Sequence, residues 1–300
     1  MNMRSELSRR NLYFCLIVAV SSLAFWVPIR QLITFSLTHD YGSHILLIVP
    51  VSICLIYLQR DEIFSDLRVN IVAGLILFAL DLTLLVAAHS YSPLRRDMLS
   101  LEILALVVLW IAGFILCFGT RAFIKAQFPL LFLLLLVPLP EFVVKKAIFA
   151  LQAGSSDVAY ALLRLLSVPV LKDGFVLLLP RIDLEVAKEC SGIRSSLALL
   201  VTLLVAGQFI LRSPWRKLLL VLASVPILVI KNGIRIVTIY MLTTHVNPGF
   251  LHGKLHASGG ILFYLLGLLA LIPVVVLLRR GENEGLKTSV MPDLARATSP

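Results

Sequence analysis

Charged residues are scarce in this chain of 300 residues: Asp, Glu, Lys and Arg make up 15% of it, whereas apolar residues make up 59%. Soluble domains usually contain about 25% charged and about 45–50% apolar residues. A water-soluble fold of this length needs a polar coat over its core, and the polar residues here are too few to form one. The composition therefore excludes a soluble globular protein and indicates one that lies in a membrane.

Cysteine is also rare, and its few positions lack the spacing of a metal site. The residues are Cys15, Cys54, Cys117 and Cys190, and the first three lie inside apolar runs. A cysteine in such a run is usually a small buried hydrophobic residue. No Cys-x-x-Cys pair or Cys/His cluster indicates zinc, so we expect no metal and no other cofactor.

The sequence has few acidic residues, which leaves a net charge of +10. In a soluble protein this excess would suggest nucleic acid, but no patch of interleaved basic and aromatic residues is present. The basic residues cluster in short loops between apolar runs, where they set orientation and meet anionic lipids. We therefore expect the lipid bilayer, and no nucleic acid, as a partner.

Long apolar blocks dominate what the sequence does contain. They run for about 18 to 24 residues, the length that crosses about 30 Å of hydrocarbon as a helix. The first block, Leu12 to Ile29, lacks a small-residue cleavage site and is followed by further blocks, so it is predicted to stay as a span. We predict an all-α integral membrane protein of about eight transmembrane helices, at residues 11–29, 44–59, 70–89, 99–118, 123–139, 191–211, 216–242 and 256–278.

The distribution of Lys and Arg predicts the orientation of these spans. If the N-terminus is cytoplasmic, the short loops and tails on that side receive most basic residues, among them Arg60, Arg121 and Arg212. The sequence therefore predicts a multi-pass membrane protein with both termini in the cytoplasm. We expect residues 1–300 to form a single transmembrane domain, with a short polar cytoplasmic tail at 281–300.

The stretch 140–190 has a different character from the spans around it. From Glu141 to Leu166, apolar and polar residues alternate at helical spacing, which is typical of helices that lie in the membrane interface. Gly154-Ser155-Ser156 predicts a break that divides this stretch into two helices. We place the stretch on the periplasmic side, before the sixth span.

A small β-hairpin is predicted between these helices and the sixth span. Pro169 and Pro180 bracket a run that contains Gly174, and apolar and polar residues then alternate from Ile182 to Val186. This alternation is typical of short strands joined by a turn.

Cys190 differs from the other cysteines because its neighbours are polar and it lies at the predicted outer start of the sixth span. The positive end of the helix dipole and Arg194, one turn further on, both favour the nucleophilic thiolate. A lone cysteine at such a boundary is more often structural, so a chemical role depends on what lies at the same depth.

Arg235 and His256 are predicted to lie at that depth. Arg235 follows Arg216, where the seventh span begins, by about nineteen residues, which carries it about 28 Å across the membrane. His256 opens the eighth span at the same outer boundary. Each alone is more often an interfacial polar residue. Together with Cys190 they are candidate catalytic residues for acyl transfer, because imidazole transfers protons and guanidinium stabilises an oxyanion.

These motifs resemble those of the exosortase/archaeosortase family of membrane cysteine transpeptidases. The run from Glu189 to Ser195 resembles the family's nucleophile motif, Asn232-Gly233-Ile234-Arg235 is similar to its Asn-x-x-Arg helix, and His256 with Gly260 resembles the His-x-x-x-Gly motif of bacterial exosortases. The resemblance covers residues 40–278. Further similarities lie upstream, at Asp40-Tyr41-Gly42-Ser43-His44, Phe132-Leu133, Val137-Pro138-Leu139-Pro140 and Leu151-Gln152.

The resemblance implies a role for each matched residue. Cys190 is expected to be the nucleophile that forms a thioester, Arg235 to orient substrate or stabilise the oxyanion, and His256 to act as the acid and base. Arg194 is expected to support the thiolate, and Asn232 to position Arg235 or the substrate. The motifs leave the roles of four further residues open: His44, Glu189, His245 and His252.

The function that the resemblance implies is protein sorting. Exosortase-like enzymes recognise C-terminal tails of exported proteins that consist of a Pro-Glu-Pro-like motif (PEP-CTERM), a transmembrane helix and a basic cluster. The tail is expected to be cut on the periplasmic face and the product transferred to an unknown acceptor, in a system that often accompanies exopolysaccharide production. Hydrolysis by water in place of transfer stays open.

A different class of function is a non-enzymatic transporter or scaffold for exopolysaccharide export. Arg194, Lys231 and Arg235 in predicted spans could line an anionic pathway. A pathway needs polar groups near the midplane and matched broken helices in two halves. The polar residues gather instead at the predicted outer boundary, which favours the enzyme and also disfavours a protease that acts at mid-depth.

Overall fold

The computed structural model of the protein describes residues 3–68, 70–91, 95–180, 182–186, 192–247, 249 and 260–297. The chain packs as two compact units, Met1–Val144 and Lys145–Pro300. The single transmembrane domain over residues 1–300 stays a prediction.

The first unit is a set of apolar helices around a long central one. Its elements are α1 (Met3–Ala24), α2 (Trp26–Thr38), a 3₁₀ turn (Asp40–Gly42), α3 (Ile45–Leu58), α4 (Arg60–Ile63), α5 (Ile71–Tyr91), α6 (Arg95–Phe118), α7 (Thr120–Lys125), α8 (Gln127–Phe132) and a second 3₁₀ turn (Leu133–Leu136). Helix α6 buries much of its length, including Ile103, Val107 and Phe114, against α1, α2 and α5.

Two predicted spans of this unit are not straight helices. The span predicted at 11–29 is a pair, α1 and α2, bent by 78° at Phe25. Pro28 explains the bend, because it cannot donate a hydrogen bond to the Ala24 carbonyl and its ring crowds that group. The span predicted at 123–139 is divided in the same way into α7, α8 and the turn Leu133–Leu136, and Pro129 lies four residues after Lys125, where α7 ends.

The described helices support fewer spans than the sequence predicts. Four are long and apolar enough to cross a membrane, and up to six if each of two bent helix pairs forms one span. Eight spans and their exact placement are not confirmed. The four helices cover Met98–Phe118, Ile193–Ile210, Pro214–His245 and Ile261–Glu282, and shorter apolar helices cover Ile45–Leu58 and Ile71–Thr83.

The second unit combines long helices with a small antiparallel sheet. Its elements are most of α9 (Glu141–Leu165), strands β1 (Leu171–Asp173), β2 (Val176–Leu178) and β3 (Asp183–Glu185), and helices α10 (Ile193–Ile210), α11 (Pro214–His245) and α12 (Gly260–Ala297). The sheet order is β1-β2-β3. The predicted hairpin is therefore confirmed as β1 and β2, and the alternating run after Pro180 adds a third strand.

The predicted break at Gly154-Ser155-Ser156 is wrong, because α9 is continuous from Glu141 to Leu165. The small residues serve close packing instead. A Cβ on Gly154 would lie 2.9 Å from Val229 Cγ1 of α11, and Ser155 and Ser156 are fully buried. Small side chains let membrane helices approach closely, and this pattern also resembles a helix break in sequence. The location of α9 in the membrane interface stays a prediction.

Helix α11 lies between two apolar clusters. Towards its C-terminus, Ile236 and Tyr240 pack with α9 and with strand residues such as Leu177. Towards its N-terminus, Leu220 and Leu228 pack with α10 and α12. The residues between these two stretches of α11 therefore face both sets of neighbours.

A polar contact joins α10, α11 and α12 at one end of this bundle. The Glu282 carboxylate accepts hydrogen bonds from the backbone N–H groups of Arg212, at 3.1 and 3.2 Å, and Ser213, at 2.7 Å. Arg216 donates to the Leu278 carbonyl at 2.9 Å. These bonds lie at the turn between α10 and α11. Gly192, just before α10, and Gly260, the first residue of α12, therefore lie at the opposite end of the bundle.

Gly233→Ala should destabilise the second unit by about 1–3 kcal/mol, because overpacked cores pay strain of that size. The new Cβ would lie 2.4 Å from Val158 Cγ1 and 3.3 Å from the Ala159 backbone nitrogen. Gly207→Ala is the matched control, since its Cβ would meet Leu220 Cδ2 at an ordinary 3.5 Å. Thermal unfolding in detergent should separate the two, and equal unfolding temperatures would contradict the close packing of α9 on α11.

Candidate functional site

Two polar residues of α11, Lys231 and Asn232, are almost completely buried, at 4% and 2% exposure. They follow Leu228 of one apolar cluster and precede Ile236 of the other. Burying a charge or an amide in an apolar interior is unfavourable unless hydrogen bonds compensate it. Their partners therefore define the polar centre of the second unit.

Asn232 connects α11 to α9 and to the start of α10. Its Nδ2 donates a hydrogen bond to Ser155 Oγ at 3.0 Å. Its Oδ1 would lie 3.0 Å from a Cβ on Gly192, so the glycine backbone approaches the amide more closely than another residue could. The Asn232 amide thus fixes the distance between α9 and the chain that enters α10.

Lys231 connects α11 to α10 and α12. Its ammonium donates to Ser195 Oγ at 2.7 Å. Its aliphatic stem crosses α12 at Gly267, where a Cβ would lie 3.2 Å from Lys231 Cδ. Among the described residues, Lys231 forms no ion pair. Its charge is therefore placed in the bundle by hydrogen bonding and packing.

Gly192 precedes α10 as its N-cap residue and has a left-handed conformation, with φ +73° and ψ 15°. This region suits glycine because it lacks a Cβ. The Gly192 carbonyl accepts hydrogen bonds from Ser195 Oγ at 3.0 Å and from Ser196 Oγ and backbone N–H at 2.9 Å. Gly192 is thus fixed by its own helix on one side and approached by Asn232 on the other.

Gln152 fixes the chain on the other side of residues 187–191. It is buried on α9, and its Nε2 donates to the Val186 carbonyl at 2.8 Å. Val186 is itself buried in the cluster that joins α9, the sheet and α11. Gln152 of α9 therefore binds the residue before the stretch 187–191, and Asn232 of α11 lies close against the residue after it.

The predicted supporting residue Arg194 is exposed in the first turn of α10, and Arg235 is half-buried on α11. Arg235 lies one turn after Lys231, so the two share a helix face. Both arginines make further interactions with other residues. Three basic residues therefore belong to the region where α10 begins.

The polar centre lies at one level in the bundle. Ser195 of α10, Lys231 of α11 and Gly267 of α12 meet there, each about fifteen residues, or about 22 Å, from the end that Glu282 joins. Thr202 and Tyr264 hydrogen bond at 2.8 Å between α10 and α12 and keep these helices aligned.

Two of the three predicted catalytic residues, Cys190 and His256, lie outside the described residues, as do Glu189 and His252. In sequence, Cys190 is two residues before Gly192, and His256 is four residues before the first residue of α12. His245 is exposed at the end of α11, and its Nδ1 lies 2.9 Å from Thr244 Oγ1. His44 belongs to the first unit, where it is half-buried before α3.

Ser155, Ser195 and Gly267 belong to the polar centre, although sequence reasoning did not predict them. One signal was available for Ser155: Gln152 and Ser155 are three residues apart and therefore lie on one face of a helix. No comparable signal exists for Ser195 or Gly267, since their roles depend on which helices pack together. Among the described residues, no group of His, Cys, Asp or Glu could hold a metal ion.

Comparison with known proteins identifies a family to which the chain is similar. The sequence model described as transmembrane exosortase matches residues 36–273, most of the chain. No curated protein and no solved structure matches the chain significantly.

Ser155→Ala should lower the free energy of unfolding by about 1–2 kcal/mol, because it removes the acceptor of the buried Asn232 amide. Ser156→Ala is a matched control, since Ser156 is equally buried but its Oγ has no partner among the described residues. We expect Ser156→Ala to be neutral or stabilising. Unfolding in SDS would measure both, and equal losses would contradict a specific Ser155–Asn232 bond.

Proposed function

Because the chain belongs to the transmembrane exosortase family, we propose that it is a membrane cysteine transpeptidase that removes C-terminal sorting tails from exported proteins. Its substrates would carry a PEP-CTERM-like tail, and a thioester on Cys190 would be transferred to an acceptor. The reaction would take place on the periplasmic face of a bacterial inner membrane.

The observation that carries this proposal is the anchoring of the chain on both sides of Cys190. Gln152 holds the Val186 carbonyl, and Asn232 approaches Gly192 where α10 begins. A nucleophile must be held in a narrow range of positions, since misplacement by about 1 Å can lower the rate about a hundred-fold. Burying polar side chains beside both of these backbone positions is unfavourable in an apolar interior, so their presence there indicates that the position of the intervening chain matters.

The proposed reaction has two steps, in which each proton has a carrier. The Cys190 thiolate attacks the carbonyl carbon of the scissile peptide bond, and the C–N bond breaks to leave a thioester. His256 in its protonated form donates a proton to the departing amine of the tail. The acceptor's nucleophile then loses its proton to His256, attacks the thioester carbonyl and releases the Cys190 thiolate.

Arg235 is proposed to stabilise the oxyanion of both tetrahedral intermediates. It lies one turn after Lys231 on α11 and is half-buried. A guanidinium donates several hydrogen bonds in a fixed plane, and its charge acts strongly where water is partly excluded. Asn232, one turn before Arg235, would keep α11 in place against α9 and Gly192.

The proposed substrate suits a site among membrane helices. A tail with its own transmembrane helix stays in the bilayer, so enzyme and substrate meet by diffusion in two dimensions. The Arg cluster after that helix would stay in the cytoplasm and set the depth of the cleaved motif.

Co-expression with a tagged reporter tests the proposal. The reporter should end in a Pro-Glu-Pro-like motif, a membrane helix and an Arg cluster taken from the same genome. We expect the intact protein and Cys54→Ala to shorten the reporter on a gel, and Cys190→Ala to abolish shortening, because Cys54 is an exposed thiol of the first unit with no role in the proposed reaction. Mass spectrometry of the new C-terminus would distinguish transfer from hydrolysis.

Unchanged processing by Cys190→Ala would overturn the assignment of the nucleophile. If Cys190→Ala also left polymer export intact while deletion of the whole protein blocked it, the transporter or scaffold function would replace the enzymatic one.

A further inference from the structure

Lys231 has no role in the proposed reaction, although it is the most deeply buried cation among the described residues. A charge at membrane depth is expensive and normally marks function. The described residues around it offer a hydroxyl, at 2.7 Å, and no carboxylate ion pair. Its charge is thus not neutralised by a described acidic partner and acts on the groups nearby.

A continuous set of hydrogen bonds leads from Lys231 to Gly192, the N-cap residue that precedes α10. The ammonium donates to Ser195 Oγ, and this hydroxyl donates in turn to the Gly192 carbonyl at 3.0 Å. The Ser195 hydroxyl has one proton, so its bond to Gly192 leaves a lone pair for the ammonium. The left-handed Gly192 residue is thereby tied to α11 through a side chain of its own helix.

We propose that Lys231 is a positioning residue, which holds the first turn of α10 through Ser195 and supplies a buried positive charge that favours the thiolate of Cys190. The proposal rests on the proposed function of Cys190 as the nucleophile. Lys231 is then a third basic residue of the site beside Arg194 and Arg235, and it is more deeply buried than either. Glu189, which precedes Cys190 in sequence, would act in the opposite direction on the thiolate.

The position of the charge is set by packing against α12. The Lys231 stem lies against Gly267, and its ammonium reaches Ser195. A side chain at position 267 would displace this stem, because its Cβ would lie 3.2 Å from Lys231 Cδ. The final helix therefore contributes to the site by leaving room for the lysine.

The test measures the alkylation rate of Cys190 by iodoacetamide at pH 7 in the full-length protein. Cys15, Cys54 and Cys117 are replaced by Ala, so that Cys190 is the only thiol. We expect Lys231→Met, which keeps the length and removes the charge, to slow alkylation about three- to ten-fold, the range for one well-placed charge. Lys231→Arg should restore the rate to within about two-fold, because it retains a cationic donor.

The direction of the change separates this role from a merely structural one. A general loss of packing does not by itself lower the thiolate fraction of Cys190, whereas loss of the charge lowers that fraction and slows alkylation. Lys217→Met is the matched control on the same helix, since Lys217 donates to Gln208 Oε1 at 2.6 Å and lies near the other end of α11. Its rate should stay unchanged.

An unchanged or faster rate in Lys231→Met, beside an unchanged Lys217→Met, would overturn the proposal. If Lys231→Met does not fold, Ser195→Ala decides, because it keeps the charge but breaks the link to Gly192. We expect about a two-fold slower rate for Ser195→Ala, and an unchanged or faster rate would again overturn the proposal.

The reporter assay keeps this result separate from that of the proposed function. Processing lost in Cys190→Ala with alkylation unchanged in Lys231→Met would support the nucleophile and reject the positioning role. Processing kept in Cys190→Ala with alkylation slowed in Lys231→Met would reject the nucleophile and with it a positioning role in the reaction, while the effect of the Lys231 charge on the thiol would stand.

Discussion

The absence of water around membrane helices is the constraint on which the second unit depends. A buried polar group in such a place needs a partner, and Lys231 and Asn232 find theirs on other helices. Asn232 bonds to α9, and Lys231 bonds to α10 while its stem packs against α12 at Gly267. Because these partners lie outside α11, the two bonds help to set the positions of α9 and α10 relative to α11.

Apolar packing stabilises the same arrangement of helices as these polar bonds. Leu220 and Leu228 bury one part of α11 against α10 and α12, while Ile236 and Tyr240 bury the next against α9 and the sheet. Between lipid-like side chains, apolar contact alone gives little selectivity for one arrangement, so small residues and hydrogen bonds decide it. Gly233 allows α9 to approach, and Gly267 leaves space for the lysine stem.

The proposed chemistry uses the same parts. The bonds that satisfy buried groups also hold Val186 and Gly192, the backbone on each side of Cys190. Structural and catalytic requirements therefore meet in a few residues, and a substitution there should change stability and activity together.

The sequence by itself determined the membrane class, the family motifs and the hairpin, because composition, residue order and local alternation are one-dimensional properties. Only the tertiary structure decided the meaning of Gly154-Ser155-Ser156, since a small-residue run is the same in sequence whether it ends a helix or admits a neighbouring one. The Lys231–Ser195 contact could not be predicted from the sequence either. The two residues lie far apart in the chain, and helix packing, which depends on partners in space, brings them together.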